Sequence, residues 1–539
     1  AVPELLLIWL ALVAWSFHNV SVIHIVLTLV LLAIMMAVQI RPVLRGWKSL
    51  FRMEGDAFAP VAVASTVTLI HTVVQMFNTP QIASPDTAPL LLPSVAGLGL
   101  LFSAMGRQWR VARIRNNFRV VSYEGEKVAA CKIDDPEQAR QIGRTAVAMG
   151  VPEVCYFKKA RFLSGYLRHS YTDDLADEQT RLYLPVSLGV ALLLSIPMFI
   201  LSGSVFTALS VFTAAVCIAA PMGLVTAIHL PLWRVSRRLV RQGAMVSGWD
   251  AVEEFGGVHA ITVDALDLFP ENSVLLHGIK TFSGTPIDRA IIDAASVAIQ
   301  AGGPLAGVFK RVLEDSEKLL QPVESLMYEQ DMGVSGWVGG RRVLVGNRKL
   351  LENHGVDVPS HDYELRYTQG DRRLVYLSTA GELSAMFVVS YLADEEIGDA
   401  LETLTGEGVT LLVRTCDPNV NEDLICKAYD LDRYYVEVMG ASAGRLYVRL
   451  QNEEFADREA LIGSNGWLQG KALALASCRR LKAAGRMAII TQLAGAVLGL
   501  ALTAFAVFYN GTPFAAFHTT LYIALVTGLS WLLPRFKRV

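Results

Sequence analysis

The sequence predicts a polytopic α-helical membrane protein of about eight spans whose larger loop is an α/β domain interrupted by an inserted module. Three observations lead there. Of 539 residues, 53% are hydrophobic and 18% charged, and the mean hydropathy is +0.39. That is too apolar for a wholly soluble chain and too charged for one confined to lipid. Apolar runs approaching the ~20 residues needed to cross a bilayer recur eight times. Between the sixth and seventh lies a long polar stretch in which strand and helix signals alternate. The same numbers exclude other classes. Disorder would need low hydrophobicity and high net charge, and a net charge of −2 gives no basic field for nucleic acid. Cys131, Cys155, Cys217, Cys416, Cys426 and Cys478 lie far apart, which argues against a zinc ribbon, a redox pair or a secreted disulfide scaffold.

The runs fall at about Leu5–Phe17, Val20–Ile40, Ala57–Phe77, Pro89–Met105, Leu182–Leu201, Val205–Leu230, Ala488–Tyr509 and Phe514–Leu533. The first is short and the chain opens on Ala1, so a trimmed N-terminal end is expected. A signal peptide fits poorly, because no basic segment precedes the run and a second run follows at once. Basic clusters follow the even-numbered runs: Arg41, Arg45, Lys48 and Arg52; Arg107 to Arg119; Arg234 to Arg241; and Arg535, Lys537 and Arg538. The turns near 16–19, 78–87, 202–204 and 510–513 carry no Lys or Arg. The positive-inside bias therefore predicts both long loops, 107–181 and 231–487, to be cytoplasmic in a bacterial plasma membrane. No Asp, Glu, Lys or Arg occupies the middle of a run, which argues against a proton relay or a hard-cation path. His24, His71, His229 and His518 read as packing or interfacial residues, and no metal-ligand set is expected.

In the larger loop, Val258–Val263 is a short β-rich run that ends at Asp264. Thr285, Pro286 and Asp288 read as cap, first-turn proline and first-turn acid of a helix that stops at Gly302–Gly303. Trp337–Val345 and Leu374–Val389 fold back around Gly339–Gly340 and Ala380–Gly381 as hairpins. Glu395–Leu404 is a predicted helix, Val409–Val413 a buried strand, and Asn421–Ala428 a helix. Strands near Tyr434–Val438 and Leu446–Leu450 follow.

This order of spans and loops resembles the heavy-metal P-type ATPases. The resemblance implies spans in 1–106, 182–230 and 487–539 and a reduced actuator-like loop in 107–181. It also implies a HAD-like P-domain in 231–280 and 393–486, with an N-domain-like insert in 281–392. Cys217-Ile-Ala-Ala-Pro221-Met222 stands where the family has a Cys-Pro-Cys break, so Cys217, Pro221 and Met222 are the implied substrate-pathway residues. Proline there would free backbone carbonyls in mid-span, but the flanking residues are not the thiolates a soft cation needs.

The motifs of the catalytic cycle match unevenly. Asp264 is followed by Ala265 and Leu266, where the family has Lys and Thr, so those side chains supply neither charge nor hydrogen bond to a nucleophile attacking a triphosphate. Arg414-Thr415-Cys416-Asp417 resembles Thr-Gly-Asp-Asn, which makes Asp264, Thr415 and Asp417 a vestigial catalytic set. For the nucleotide, Gly303 replaces the adenine-contacting His, leaving Pro304, Gly333 and Gly336 as candidates. The best local match, Gly340 to Leu351 around Asn347, sets a hairpin and helix. The magnesium loop has no counterpart beyond scattered carboxylates such as Glu453, Glu454 and Asp457. No Thr-Gly-Glu-Ser occurs in the smaller loop, where Glu124-Gly125-Glu126 is the nearest fragment. Thr405-Gly406-Glu407-Gly408 reads as a helix stop.

Two readings result. In the first, the architecture of a pump persists without its cycle, and the chain is a scaffold, regulatory subunit or ligand-binding protein in contact with membrane lipid and a protein partner. In the second, it is an active ATP-driven transporter of a soft metal or an apolar or amphiphilic substrate. ATP and Mg2+ are cofactors only in the second.

Overall fold

A computed structural model describes residues 2–16, 22–77, 91–313, 318–452 and 460–537. Helices occur at all eight apolar runs: Val2–Ser16, Val22–Val38, Ala59–Phe77, Pro93–Val121, Leu175–Ser202, Val205–Ala219 with Leu224–Leu239, Leu468–Asn510 and Ala516–Leu532. Among the described residues, five are long and apolar enough to cross a bilayer, or six if a bent pair counts as one. The expectation of eight is thus reduced, for three local reasons. The first helix has 15 residues. The second bends by 81° into Ile40–Arg52. The fourth runs on as one 29-residue helix through the arginines after 106. Residues 17–19, 78–87 and 89–90, which include two expected turns, lie outside the described residues.

The bend has a visible cause. The Gln39 side chain donates to the Leu100 carbonyl at 2.8 Å and accepts from Arg107 at 2.6 Å. Beyond it, Val43, Gly46 and Ser49 are buried at a three-residue spacing, while Arg41, Arg45, Lys48 and Arg52 are exposed. Gly46 permits the close approach, since a Cβ there would lie 2.9 Å from that of Ala62.

The strands among the described residues are β1 (Lys127–Lys132), β2 (Val154–Ala160), β3 (Ala244–Val246), β4 (Ala260–Asp264), β5 (Val274–Thr281), β6 (Val323–Glu329) and β7 (Gly333–Val338). They continue as β8 (Arg341–Gly346), β9 (Arg373–Thr379), β10 (Glu382–Tyr391), β11 (Thr410–Arg414), β12 (Val436–Val438) and β13 (Ile462–Ser464). They form a seven-stranded sheet, β12-β11-β4-β2-β1-β13-β3, and a six-stranded one, β5-β10-β9-β8-β7-β6.

The smaller loop, residues 107–181, shares a sheet with the larger one, since β1 and β2 lie inside the seven-stranded sheet. β2 runs parallel to β4, with Val154 opposite Ala260 and Cys155 opposite Ile261, and antiparallel to β1. Every β2 residue except Lys159 is buried. A strand apolar on both faces needs cover on both, and the free edge of β4 supplies its neighbour.

Other expectations hold or shift. Both hairpins form as predicted, and the helix Glu395–Gly406 ends before Gly408, whose φ is +74°. Pro286, not Thr285, is the N-cap of Ile287–Ala301. The insert begins at β5, earlier than residue 281, and ends with β10. The boundary expected at 486 falls inside the single helix Leu468–Asn510. Leu446–Leu450 is not a strand but part of the helix Ala441–Asn452. Its buried residues, Ala443, Leu446, Tyr447 and Leu450, follow the helical period.

Candidate functional site

Strand β4 ends on Asp264, whose side chain caps the short helix Ala265–Leu268 by accepting from the Leu266 N–H at 3.0 Å. The parallel register sets Arg414 of β11 directly beside Asp264, and Arg414 Nη1 lies 2.6 Å from Asp264 Oδ2. Both carboxylate oxygens therefore have partners. The Ala265 and Leu266 side chains give Asp264 neither charge nor hydrogen bond, but the Leu266 backbone supplies a hydrogen bond and Arg414 a charge. A second cation stands one turn further on, where Lys471 Nζ is 3.1 Å from Asp267 and 5.9 Å above the Phe157 ring of β2. Arg414 is visible in the sequence beside Thr415. Lys471, 204 residues from Asp267, has no local signal.

The 415–417 loop beside Asp264 is closed on itself. Thr415 Oγ1 accepts from the Asp417 N–H at 2.9 Å. Asp417 accepts from the Asn419 N–H at 2.9 Å and from the Tyr391 hydroxyl at 2.6 Å. Burial pushes the Asp417 carboxyl up to about 6, against the lowering effect of those bonds. Burial, reinforced by the Asp417 charge, pushes the Tyr391 phenol well above its ordinary range. Tyr391 packs edge-on against Phe269, so this network ties the end of the insert to the sheet that carries Asp264.

These residues do not fit a magnesium–nucleotide pair. Leu266 and Arg414 occupy the carboxylate of Asp264, Asp417 faces a tyrosine, and Glu453, Glu454 and Asp457 lie outside the described residues. Among the described residues no group of three or more His, Cys, Asp or Glu could hold a metal ion. The nucleotide candidates have packing roles. Pro304 is buried at the start of Pro304–Leu313, a helix that packs on β5 at one edge of the sheet. Gly333, at φ +142°, leaves no room for a Cβ, which would meet the Val345 carbonyl at 2.4 Å. At Gly336 it would meet Val323 at 2.5 Å.

In the apolar part, the break at Pro221 is present. Helix Val205–Ala219 stops and the chain resumes at Leu224. In an unbroken helix the Gly223 N–H would bond the Ala219 carbonyl. Instead Gly223 donates to Gln492 Oε1 at 3.3 Å, and the Ala219 carbonyl accepts from the Tyr183 hydroxyl at 2.9 Å. Gln492 also donates to Ser530 at 2.9 Å. It was missing from the sequence candidates because a lone Gln in an apolar run gives no pattern. Cys217 lies 3.2 Å from Thr68 Oγ1, and Met222 sits over Gly99. The void at the break, about 10 Å³, is barely water-sized. Further along, Thr68, His71, Thr72 and Gln75 are all buried in Ala59–Phe77. His71 Nε2 is 2.9 Å from Ser210, while among the described residues His71 Nδ1 and both Gln75 amide atoms have no hydrogen-bond partner.

Over 286 residues the chain is 24% identical to a copper-exporting P-type ATPase of Legionella pneumophila, a match covering 52% of this chain and 38% of that protein. Over 305 residues it is 22% identical to the copper-exporting P-type ATPase of Bacillus subtilis, covering 56% and 38%. The chain is related to the heavy-metal P-type ATPases. It matches about two fifths of the length of these curated relatives, and no family model matches it. A crystal structure of a zinc-transporting PIB-type ATPase in the E2.Pi state aligns over 99% of this chain and 98% of its own, at 13% identity and a TM-score of 0.48. With the relationship and the long apolar helices together, this heavy-metal ATPase relative is a membrane protein.

Proposed function

We propose that this relative of the heavy-metal P-type ATPases has lost the phosphorylation cycle and acts by binding, as a scaffold, regulatory or ligand-holding protein. Both long loops are cytoplasmic in this reading, and the membrane is a bacterial plasma membrane. One observation carries it: β2 of the smaller loop is hydrogen-bonded to β4, the strand that presents Asp264. A pump of this type needs a glutamate on its smaller loop to activate water against the aspartyl-phosphate. Here that loop is locked into the aspartate's own sheet, and Asp264 is tied to Arg414. The test is incubation of the purified protein with labelled ATP and magnesium, with Asp264→Asn as control. No acid-stable, hydroxylamine-labile label is expected. Label that disappears in the control overturns the reading.

The second reading, an ATP-driven transporter of a soft metal or an amphiphile, is favoured by the seam of Thr68, His71 and Gln75, where polar atoms of His71 and Gln75 are buried without partners among the described residues. ATP-dependent uptake of silver ions or a fluorescent amphiphile into vesicles, lost in Asp264→Asn, would establish it.

A further inference from the structure

A cleft of about 620 Å³ opens between the six-stranded module and the helix Glu422–Tyr429. That volume lies within the range of small-molecule sites, roughly 300–1,000 Å³. Its walls include four cations, Arg348, Arg372, Arg373 and Lys427, and two carboxylates, Glu364 and Asp371. Each carboxylate already has a cation. Glu364 lies 2.8 Å from Arg348, with the Tyr376 hydroxyl and His361 also on it, and Asp371 lies 2.5 Å from Lys427. Arg372 and Arg373 remain. Among the described residues, neither has a carboxylate within salt-bridge distance.

Arg372 and Arg373, consecutive in the chain, both stand on a rim backed by Leu374, Tyr376 and Leu424, where Arg373 also acts through space on Asp371 and Asp417, and they make a positive field focused by low-dielectric walls. Guanidinium groups bind phosphate through paired, charge-assisted hydrogen bonds. The cleft is not the nucleotide region implied by Pro304 and Gly336. Along β9, Leu374 and Tyr376 join one apolar cluster. Val375 and Leu377 join the other, which holds Leu305 and Phe309 of the Pro304 helix. The cleft is lined by Leu374 and Tyr376 of the first cluster and by Tyr391 and Leu424 of the second, but not by Pro304, Gly333 or Gly336. Its walls come from both modules, and Tyr391 lines it while bonding Asp417.

We propose that this cleft between the two modules binds a small phosphate-bearing polyanion, held chiefly by Arg372 and Arg373. The proposal does not depend on whether Asp264 can be phosphorylated. The test uses the full chain in lipid nanodiscs, with inorganic diphosphate as the probe and the shift in Tm as the readout. A rise in Tm is expected for the unmodified protein and for Asp264→Asn. The double variant Arg372→Ala/Arg373→Ala should bind roughly a hundredfold more weakly or worse, since two charge-assisted sets of bonds are lost. The pair Arg372→Lys/Arg373→Lys, which keeps the charge, should retain a smaller rise and so separate lost binding from lost folding. ADP in place of diphosphate tells a nucleoside phosphate from a simple one, and a larger rise with either supports the site. The absence of any rise with both probes, a rise undiminished in the alanine pair, or one abolished by Asp264→Asn overturns it.

Discussion

The two sheets are built in opposite ways. The six-stranded sheet comes from one continuous stretch, β5 to β10, whose neighbours are mostly hairpin partners. The seven-stranded sheet draws β1 and β2 from before the helix Leu175–Ser202, β3 and β4 from after Leu224–Leu239, and β11 to β13 from beyond the insert. A sheet closed locally can lose a contact and confine the damage. A sheet assembled across membrane helices shares the loss among every segment that enters it.

The largest effect expected from that contrast is at Phe157, 5% exposed on β2. Phe157→Ala should cost about 3–5 kcal/mol, and limited proteolysis should open both long loops together. Cleavage confined to 107–181 would mean that the sheet is not shared. In the six-stranded module, Gly333→Ala puts a Cβ into the Val345 carbonyl at a left-handed φ and should cost about 1–3 kcal/mol. Amide exchange should then quicken in β7 and β8 while β2 and β4 stay protected. Protection lost in β4 as well would break the contrast.

Asp417 sharpens it at the junction of the two. Its folded value of about 6 lies above the ordinary 3.8, so the folded state binds the proton more tightly. Its contribution is fully present at low pH and is lost as pH rises through about 6. Stability should therefore increase as pH falls from about 7 towards 4, by an amount on the order of 1–3 kcal/mol. Urea melts of Asp417→Asn should lack that slope, and an unchanged slope would assign it elsewhere. The smallest effect is at Lys159, on the same strand as Phe157. It pairs with Glu126 at 3.0 Å, with both side chains more than 70% exposed. Lys159→Ala should change stability by less than about 1 kcal/mol, measurable only in the same melts.

What the sequence disclosed follows from the same contrast. The turns at Gly339–Gly340 and Ala380–Gly381, the strand ending at Asp264 and the break at Pro221 each announce themselves within a few residues, and each forms as expected. The features that were misread depend on distant partners or on the wrong period. β2 finds its place only when β4, about a hundred residues on, offers an edge. Arg414 reaches Asp264 only through the β11 register. Leu446 and Leu450 look like strand residues until Ala443 and Tyr447 are counted with them. The candidate site was legible as a list of residues but not as a geometry, because its decisive contacts join segments 150 or more positions apart.

The parallel pairing of β2 with β4 also governs how this protein can be taken apart. Excising the larger loop as a water-soluble fragment, a natural route to studying its chemistry, would remove the two central strands that precede it. β4 would then present bare amides and carbonyls beside Ile261 and Val263, an adhesive margin that recruits further copies of itself.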